Sequence, residues 1–478
     1  MKKRNFNLLK KSLLILLVLI TSVSCERDLS DDATVATFSK TPEIFIDAPV
    51  EMGSNFYFPY GPDANNPVGS KFTAWSVDDN VSYRGSASMR FDVPNANDPE
   101  GNYAGGILRV DGAGRDLTGY DALTFWAKSS QGVTVGEFGF GEDFFPNKYI
   151  TTMKNVTLGT AWTKYIIPIP DASKLLQERG MFRYSAGTQD TNGFGYTFWI
   201  DDLKFERLGT IAHGQASIMN GNNVQETTFV GVNSNVDNVK VTFNMPNGTN
   251  QSVVVSPSYM QFTSSNPSVA TVDALGLVTS LSSGTAIISA SFKGLAALGS
   301  LTINCVGSFS HAPTPTANAA NVISIFSDAY TNVPVNYYNG YWQPWQTTVS
   351  NDFTVQGDNI LGYSIFNFVG IEFSSPTVNA TSMTHFHLDA FIPGPIAPGR
   401  QLRVIVVDFG ADGAFGGGDD TRHSTTYTAP TLVSQSWISI NIPFSAMPNL
   451  ASRSHLAQII LEGGDNSVLY VDNVYFYN

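Results

Sequence analysis

Residues 198–205 read FWIDDLKF, and residues 469–476 read LYVDNVYF. In both stretches apolar and polar residues alternate around a shared D-[DN]-[LV]-x-F core, and a period of two predicts a half-buried β-strand. Each stretch closes a segment that opens with a second matching phrase, IFIDAPVEMGSNFYF from Ile44 and IFSDAYTNVPVNYY from Ile325. The sequence therefore predicts two β-domains with matching first and last strands on either side of a different middle.

The composition indicates an all-β protein. Glycine contributes 42 of the 478 residues, aromatic residues make up 12% and charged residues only 14%, which is typical of sandwiches rich in strands and turns. The net charge of −13 excludes a nucleic acid as partner, because binding phosphates needs clustered Lys and Arg.

The first 24 residues have the pattern of a signal peptide. A basic start is followed by an apolar run from Leu13 to Ile20, which is too short to span a bilayer. Small residues then lead into Cys25, and this arrangement resembles a bacterial lipobox, in which Cys25 becomes lipidated. Ordinary signal cleavage that leaves a free cysteine is the alternative.

The acidic stretch CERDLSDD that begins at Cys25 resembles the surface-export signal of lipoproteins in Bacteroidota-type Gram-negative bacteria. The resemblance implies an anchor in the outer membrane, with the protein facing the cell exterior and residues 25–40 forming a flexible tether. The other cysteine, Cys305, ends the apolar phrase LTINC. A disulfide framework is therefore excluded, and we expect a buried free thiol.

Residues 41–208 form the predicted first module. Strand-like runs are separated by Gly, Asn, Asp and Pro clusters, and one short helix is predicted over Asp171–Arg179 with Asp171 as its N-cap. Trp126 alternates with apolar neighbours and is expected in the core. The phrases LTGYDALTFWAKSS and WIDDLKF resemble the jelly-roll sandwiches of carbohydrate-binding modules.

Residues 209–307 form the predicted second module. The phrase FTSSNPSVATVDALGLVTSLSSGTAIISASFKG resembles a bacterial Ig-like domain of group 2, which implies a β-sandwich spacer without chemistry of its own. Residues 308–321 form a Pro-rich linker, which we expect to be a short, semi-rigid strut.

Residues 322–478 form the predicted third module. The phrases ISIFSDAYTNV, YWQPWQTT, FVGIEFSS, MTHFHLDAFIPG, LRVIVVDFGADGAFGGGDD and YVDNVYFY resemble the glycan-binding sandwich of some family 16 glycoside hydrolases and of SusE-like surface glycan-binding lipoproteins. The resemblance implies two jelly-roll β-sandwiches flanking the Ig-like domain. It also implies a polysaccharide ligand, such as the β-glucan laminarin, and SusC/SusD-like transporter partners.

Sugar rings present flat apolar C–H faces with hydroxyls around them, so a protein holds them with exposed aromatic rings and polar side chains at the edge. In the third module the loop-like stretch from Asn339 to Gln346 supplies the candidates Tyr341, Trp342, Gln343 and Trp345. Trp345 is favoured as the ligand-facing ring, and inward packing of Trp342 is the alternative. In the first module the candidates are Trp75, Tyr103, Phe144 and Tyr149, for which core or edge packing is an equal alternative.

Calcium is the predicted cofactor. Asp408, Asp412 and Asp419 take positions one, five and twelve of an EF-hand-like loop, with Asp420 next to the last of them and a glycine at the bend. An acidic, glycine-rich hairpin is the alternative. The resemblance to carbohydrate-binding sandwiches implies a second, structural calcium between the first and last strands, at Asp328 with Asp472 or at Asp47 with Asp201. Carboxylates brought together there would repel unless they are paired or bridged by a cation.

The sequence predicts a protein that is not an enzyme. Family 16 enzymes place two catalytic carboxylates in an E-x-D-x-x-E run, and this sequence has no such run. Two alternatives stay open: a non-catalytic adhesin or scaffold that binds protein or matrix, and a glycan-active enzyme with an unrecognised site.

Overall fold

The computed structural model describes residues 37–51, 58–62, 68–143 and 148–478. The predicted signal peptide, Cys25, most of the tether and Phe144 lie outside these residues. Within them, strands and short 3₁₀ turns are the regular elements, so the all-β prediction is confirmed. No helix in this part of the chain is long and apolar enough to cross a membrane.

The first module is built from two sheets that enclose stacked phenylalanines. Phe91 and Phe198 stack at 4.6 Å between ring centroids, and Phe138 meets Phe198 edge-on at 5.8 Å. The strand orders are β3-β4-β11-β6-β9, with β1 on β11, and β2-β5-β10-β7-β8. The strands are β1 Glu43–Phe45, β2 Phe58–Pro59, β3 Trp75–Asp78, β4 Ser88–Val93, β5 Ala104–Arg109, β6 Ala122–Ser129, β7 Val133–Phe140, β8 Thr151–Leu158, β9 Thr163–Pro168, β10 Gly180–Ala186 and β11 Tyr196–Glu206.

The second module contributes two small sheets, ordered β13-β22-β20-β17 and β14-β19-β18. Cys305 lies at the end of β22 as a buried free thiol, which confirms that prediction. The strands are β12 Gln215–Ser217, β13 Asn223–Thr228, β14 Asn233–Asn235, β15 Lys240–Asn244, β16 Asn250–Val255, β17 Gln261–Ser264, β18 Ala270–Val272, β19 Leu277–Ser280, β20 Gly284–Phe292, β21 Leu295–Ala296 and β22 Ser300–Cys305.

The third module is organised by two long strands, β26 and β31, which pair with each other and with most of the remaining strands. The first part of β31 pairs with β28, and its last part pairs with β27. The strands are β23 Val322–Phe326, β24 Val349–Ser350, β25 Phe353–Val355, β26 Asp358–Glu372, β27 His385–Phe391, β28 Leu402–Asp408, β29 Thr421–Tyr427, β30 Trp437–Pro443 and β31 Leu456–Tyr477. The 3₁₀ turns of the described chain are Ala172–Lys174, Met219–Gly221, Pro257–Tyr259, Ala319–Asn321 and Phe444–Ala446.

The repeated D-[DN] pair marks a bulge in both closing strands. Asp202 and Asn473 have φ values of 49° and 51°, a left-handed conformation that Asp and Asn tolerate better than most residues. In each case the preceding aspartate accepts the backbone N–H of the bulged residue, at 2.7 Å for Asp201 and 2.6 Å for Asp472. The repeat therefore specifies a local bend as well as a strand.

The predicted helix over Asp171–Arg179 is wrong in length. Asp171 does cap a turn, with its Oδ1 accepting from Ser173 N at 3.2 Å, but that turn contains three residues. The segment then becomes extended because Glu178 and Arg115 exchange two backbone hydrogen bonds. Pairing with a distant segment of the chain has overridden the local helical pattern.

The first and second modules share one sheet. Strand β16 pairs with the edge of β8, with Val254 opposite Thr152, so β15 and β12 extend the first module's sheet. The hydroxyl of Tyr259 donates to the carbonyl of Tyr149 across this junction at 3.1 Å. The predicted spacer is therefore joined to the first module by backbone pairing.

The second and third modules meet through a cluster of aromatic rings. Phe229 of the second module is 4% exposed, and its ring lies 4.8 Å from that of Phe309 in the linker and 5.7 Å from that of Tyr470 in β31. The cluster covers Tyr470 on the outer side of β31, and every residue from Leu469 to Phe476 is buried, so the half-burial predicted for this stretch is wrong. In β11, burial alternates as predicted. The linker lies against the third module, where His311 is 2.6 Å from Asp358.

We expect Phe229→Ala to release the linker. Truncating a buried phenylalanine costs about 3 kcal/mol or more, so linker opening should become more frequent by about two orders of magnitude. Limited proteolysis measures this, because cleavage follows the population of the open state when reclosing is fast. The control is Phe72→Ala, at a position that is 67% exposed. An unchanged cleavage rate in Phe229→Ala would show that the aromatic cluster does not hold the linker.

Candidate functional site

A loop of the third module, residues 336–348, lies along the end of β26. Its backbone pairs with the strand: Asn336 N donates to Glu372 O at 2.8 Å, and Gly340 N donates to Gly370 O at 3.1 Å. This loop contains the four sugar-binding candidates of the third module. Its attachment places them over one face of the sheet.

Trp345 presents its indole to solvent while its backbone is fixed. The residue is 74% exposed, and its carbonyl accepts a hydrogen bond from Asn367 Nδ2 at 2.8 Å. Asn367 also accepts from Thr347 N at 2.9 Å. A ring on a preorganised backbone loses little conformational freedom when it binds a ligand, so Trp345 fits a stacking role.

Trp342 is half-buried and forms part of the wall. Its ring lies on the α-carbons of Gly340 and Gly370, where a Cβ at either position would come within 2.3 Å of the indole. Its Nε1 donates to the hydroxyl of Tyr337 at 3.2 Å. Glycine at these two positions is therefore what allows the ring to lie flat against the sheet.

The other two candidates of this loop differ in position. Gln343 is exposed beside the two tryptophans and lines the same cavity. Tyr341 is 49% exposed, but its hydroxyl accepts from Ser350 N at 3.4 Å, which turns it toward β24. Gln343 is the better placed of the two for a ligand at Trp345.

Glu372 forms the polar edge of the site. Its carboxylate accepts from Tyr337 and Ser374, each at 2.6 Å, and from Gln458 Nε2 at 2.9 Å. Burial acts to raise the pKa of Glu372, but these hydrogen bonds outweigh it and hold the pKa below its ordinary value. Burial, reinforced by Glu372, raises the pKa of Tyr337 to about 12. Glu372 is therefore a fixed anion with its donors already in place.

One cross-strand row runs across the floor of the site, from Glu372 through Gln458 and Val407 to Arg422. Neighbouring strands lie about 4.8 Å apart, so the row spans about 14 Å. Ile460 lies on the same face two residues along β31 and adds to the apolar floor. The floor thus has Val407 and Ile460 beside the amide of Gln458 in the middle and a charged group at each end.

The loop between β28 and β29 forms the far wall, and Phe415 lies near its tip. Phe415 is 78% exposed and was missed in the sequence, where this loop is considered only for its aspartates. The sequence around it, an apolar residue in the glycine-rich acidic turn GAFGGGDD, does not by itself indicate a site.

These walls enclose a cavity of about 800 Å³. Its lining combines exposed or half-buried aromatic rings with groups that donate or accept hydrogen bonds, as a ligand with flat apolar faces and a ring of hydroxyls requires. A second cavity, of about 300 Å³, shares Phe368 with it and extends the groove past Arg403 and Glu462. The lining of the larger cavity is Trp342, Gln343, Trp345, Phe368, Glu372, Val407, Phe415, Asp420, Thr421, Arg422, Gln458 and Ile460.

The candidates of the first module do not converge on one site. Tyr103 lines an open cavity of about 450 Å³ together with Gln189. Trp75 and Tyr149 are partly buried against the apolar core, and the ring of Tyr149 lies 5.3 Å from that of Tyr259 in the second module. Their positions favour packing for Trp75 and Tyr149 and leave Tyr103 as the candidate with access to a cavity.

Trp126 is not a core residue. Successive side chains of a strand point to opposite faces, so fully buried Phe125 places Trp126 outside, where it stacks on Tyr83 at 4.0 Å between centroids. On the same face the amine of Lys128 lies 5.1 Å from the ring centroid of Trp199. The alternation was visible in the sequence, but the apolar neighbours of Trp126 concealed it.

A charged network of the first module includes Arg183 and Tyr60, which the sequence did not single out. Arg183 pairs with Glu142 at 2.5 Å and also with Glu137, and the hydroxyl of Tyr60 donates to Glu142 at 2.8 Å. Arg109 pairs separately with Asp143 at 2.7 Å. Such groups suit hydroxyl recognition, but they are already paired with one another.

The carboxylates of the acidic loop after β28 accept hydrogen bonds from nearby backbone N–H groups. Within the described ranges no three His, Cys, Asp or Glu side chains gather as a metal ion would require, and calcium at this loop stays a prediction. The donors are Gly410 N and His455 N to Asp408, Ala411 N to Asp419, Ala414 N to Asp412 and Gly416 N to Asp420.

Asp472, at the start of the third module's bulge, is buried and lies near three other carboxylates. Burial, with the charges of Asp358, Asp389 and Asp328, raises the pKa of Asp472 to about 7. Asp328 has the smallest effect of the three, and both of its oxygens accept hydrogen bonds from Asn359, at 2.6 and 2.8 Å. The predicted pair of Asp328 and Asp472 is therefore part of a larger group of carboxylates. Within it, Asp358 and Asp389 raise the pKa of Asp472 more than Asp328 does.

In the first module the corresponding pair, Asp47 and Asp201, accepts hydrogen bonds from the backbone of one turn. Asp47 Oδ1 accepts from Ala87 N at 3.0 Å, and Asp201 Oδ2 accepts from Tyr83 N at 2.6 Å and from Arg84 N at 3.0 Å. These N–H donors lower the pKa of Asp47, whereas at Asp201 burial outweighs them and the pKa of that carboxyl is raised. Calcium at this pair also stays a prediction.

Two parts of the chain match family models. Residues 54–207 match the model described as carbohydrate binding domain 30, and residues 258–292 match the intimin immunoglobulin-like domain. No curated protein matches the chain. The fold is that of a multidomain β-sandwich protein, and its first module is similar to a carbohydrate-binding domain.

Solved structures with detectable similarity include two carbohydrate-binding modules of Clostridium thermocellum. The family 30 module of a cellulosomal cellulase is 17% identical, over 36% of this chain and 95% of that chain, with a TM-score of 0.23. A family 11 module in complex with a mixed-linked β-1,3-1,4 tetrasaccharide is 14% identical, over 34% and 98%, with a TM-score of 0.26. A β-1,2-glucanase from Parabacteroides distasonis is 10% identical, over 57% and 40%, with a TM-score of 0.24.

Proposed function

We propose that this chain is a cell-surface lipoprotein that binds polysaccharide, with a β-glucan such as laminarin as ligand, and retains it for a SusC/SusD-like uptake system. The observation on which this proposal depends is the exposed ring of Trp345 in a cavity edged by Glu372 and Arg422. The adjoining groove past Phe368 supports a polymer over a single sugar. The carbohydrate-binding match of the first module supports the same class of ligand.

The lipid anchor at Cys25 and the outer-membrane location are part of this proposal. Their support is the lipobox-like sequence and the acidic stretch after it. An anchored protein with its groove at the cell exterior would hold polysaccharide close to a transporter.

The state of Glu372 supports binding over hydrolysis. A glycosidase needs one carboxylic acid that stays protonated to donate to the leaving oxygen, next to a second carboxylate. The pKa of Glu372 is lowered, and three donors already occupy its oxygens. Such a carboxylate is already ionised, so it can accept hydrogen bonds from hydroxyl groups but holds no proton to donate to a leaving oxygen.

A glycan array tests the proposal on the mature chain, with Cys25→Ser for solubility. We expect retention of β-glucans, and laminarin should slow the protein in affinity gels. An assay for newly formed reducing ends should stay at background. Retention of matrix proteins without any glycan would favour the adhesin alternative, and released oligosaccharide would contradict a binding-only role.

A further inference from the structure

Two aromatic side chains on different loops share the cavity of the third module. Phe415 and Trp345 are 78% and 74% exposed, more than any other large apolar side chain in the described ranges, and both line the same cavity. Scattered exposed apolar residues are ordinary on a protein surface. Two such rings on one cavity indicate a common ligand that has apolar faces.

The two rings approach from opposite sides. The loop of Trp345 lies along β26, the loop of Phe415 joins β28 to β29, and β31 runs between β26 and β28. The space between the loops is the cavity above Val407 and Ile460. A ligand that enters it therefore has one ring on each side.

The backbone of the Phe415 loop is held by the acidic residues that the sequence assigns to calcium. Asp420 accepts from Gly416 N at 2.9 Å, and Asp419 accepts from Ala411 N at 2.6 Å. The glycines after Phe415 have φ values of 105°, 73° and 92°, which residues with a Cβ adopt only with strain. At its base Phe409, 3% exposed, lies 5.6 Å from the Phe415 ring. The loop thus has a buried base and a ring displayed at its tip.

We propose that Phe415 and Trp345 stack on opposite faces of one bound sugar chain, so that the cavity selects pyranoses whose ring hydroxyls are all equatorial. The inference rests on the proposed glycan-binding function. It adds Phe415 as a second contact residue and specifies the configuration of the sugar's hydroxyl groups. A ring with equatorial hydroxyls has apolar C–H groups on both faces. An axial hydroxyl would be buried against an aromatic ring without a hydrogen-bond partner, which lowers affinity by about tenfold or more. Gluco-configured and xylo-configured β-linked chains should therefore bind more tightly than galacto-configured or manno-configured ones.

The test compares variants of the mature chain on β-linked gluco-, manno- and galacto-oligosaccharides by calorimetry. The wild type should prefer the gluco-configured chain by about tenfold or more. Phe415→Ala should weaken that binding by about tenfold and narrow the preference, while Phe415→Tyr, which keeps a flat ring, should retain both. Phe194→Ala, at an equally exposed phenylalanine (70%) of the first module, is the matched control and should bind as the wild type does.

The outcomes separate this inference from the proposed function. If Phe415→Ala binds normally while Trp345→Ala does not, the second stacking residue is wrong and the glycan-binding site stands. Equal affinity for gluco- and galacto-configured chains overturns the selection for equatorial hydroxyls. If the wild type retains none of the sugars, the proposed function itself fails.

Discussion

Trp345→Ala is expected to remove glycan retention by the third module without changing its thermal unfolding. The ring is 74% exposed, so its loss takes away almost no packing in the free protein. In the complex it would be an aromatic anchor, and truncating such a residue costs about 2 kcal/mol or more, which is about a 30-fold loss of affinity. Affinity gels with laminarin and scanning calorimetry measure the two effects, and binding that remains reports the first module.

Trp342→Ala is the matched comparison, because it removes the same side chain from a packed position. Its ring fills the space over Gly340 and Gly370 and donates to Tyr337. Both binding and melting temperature should therefore fall, with a loss of unfolding free energy of about 3 kcal/mol. A Trp345→Ala variant that binds laminarin normally would remove Trp345 from the site. One that is destabilised as much as Trp342→Ala would show that its exposed ring is a packing residue after all.

The Trp345 loop could be predicted because its signal is local. Two tryptophans stand within four residues of glycine and proline, where a strand or a core is hard to build. Phe415 gave no such signal, because its meaning depends on a wall contributed by residues about seventy positions earlier in the chain. Pairing of β26 with β31 and of β31 with β28 brings these loops to one cavity, and register between distant strands cannot be derived from composition.

The repeated closing strands show the same limit. Their D-[DN] core predicts strand ends that match, and both contain the bulge. The two strands differ in which faces are buried. β11 keeps one face toward solvent, whereas Phe229 and Phe309 bury the outer face of β31 at Tyr470. The neighbours of Asp472 are likewise set by tertiary structure, since Asp389 is its cross-strand partner and Asp358 comes from a different strand.

The stability of the third module is expected to fall between pH 5 and pH 8 when calcium is absent. Asp472 is 3% exposed, and its pKa of about 7 in the folded state lies far above the ordinary value of 3.8. The folded chain therefore binds a proton more tightly than the unfolded chain does. The contribution of Asp472 to the free energy of unfolding is fully present below about pH 4. It declines as the pH rises through the folded-state pKa, and the total loss is up to about 4 kcal/mol.

Asp472→Asn isolates this effect, because the amide keeps the shape of the side chain and its acceptor for Asn473 N but cannot ionise. In EDTA the wild type should melt at a lower temperature at pH 8 than at pH 5, and the variant should show a much smaller difference. If calcium binds here, adding it at pH 8 should restore the wild type and leave Asp472→Asn unchanged, because an ion would then neutralise the same carboxylates that the proton neutralises in acid. Asp412→Asn, in the exposed loop, serves as control and should respond as the wild type does. Recovery that disappears in Asp412→Asn would place the ion in the loop, and a wild type with no response to calcium would contradict both predicted cation sites.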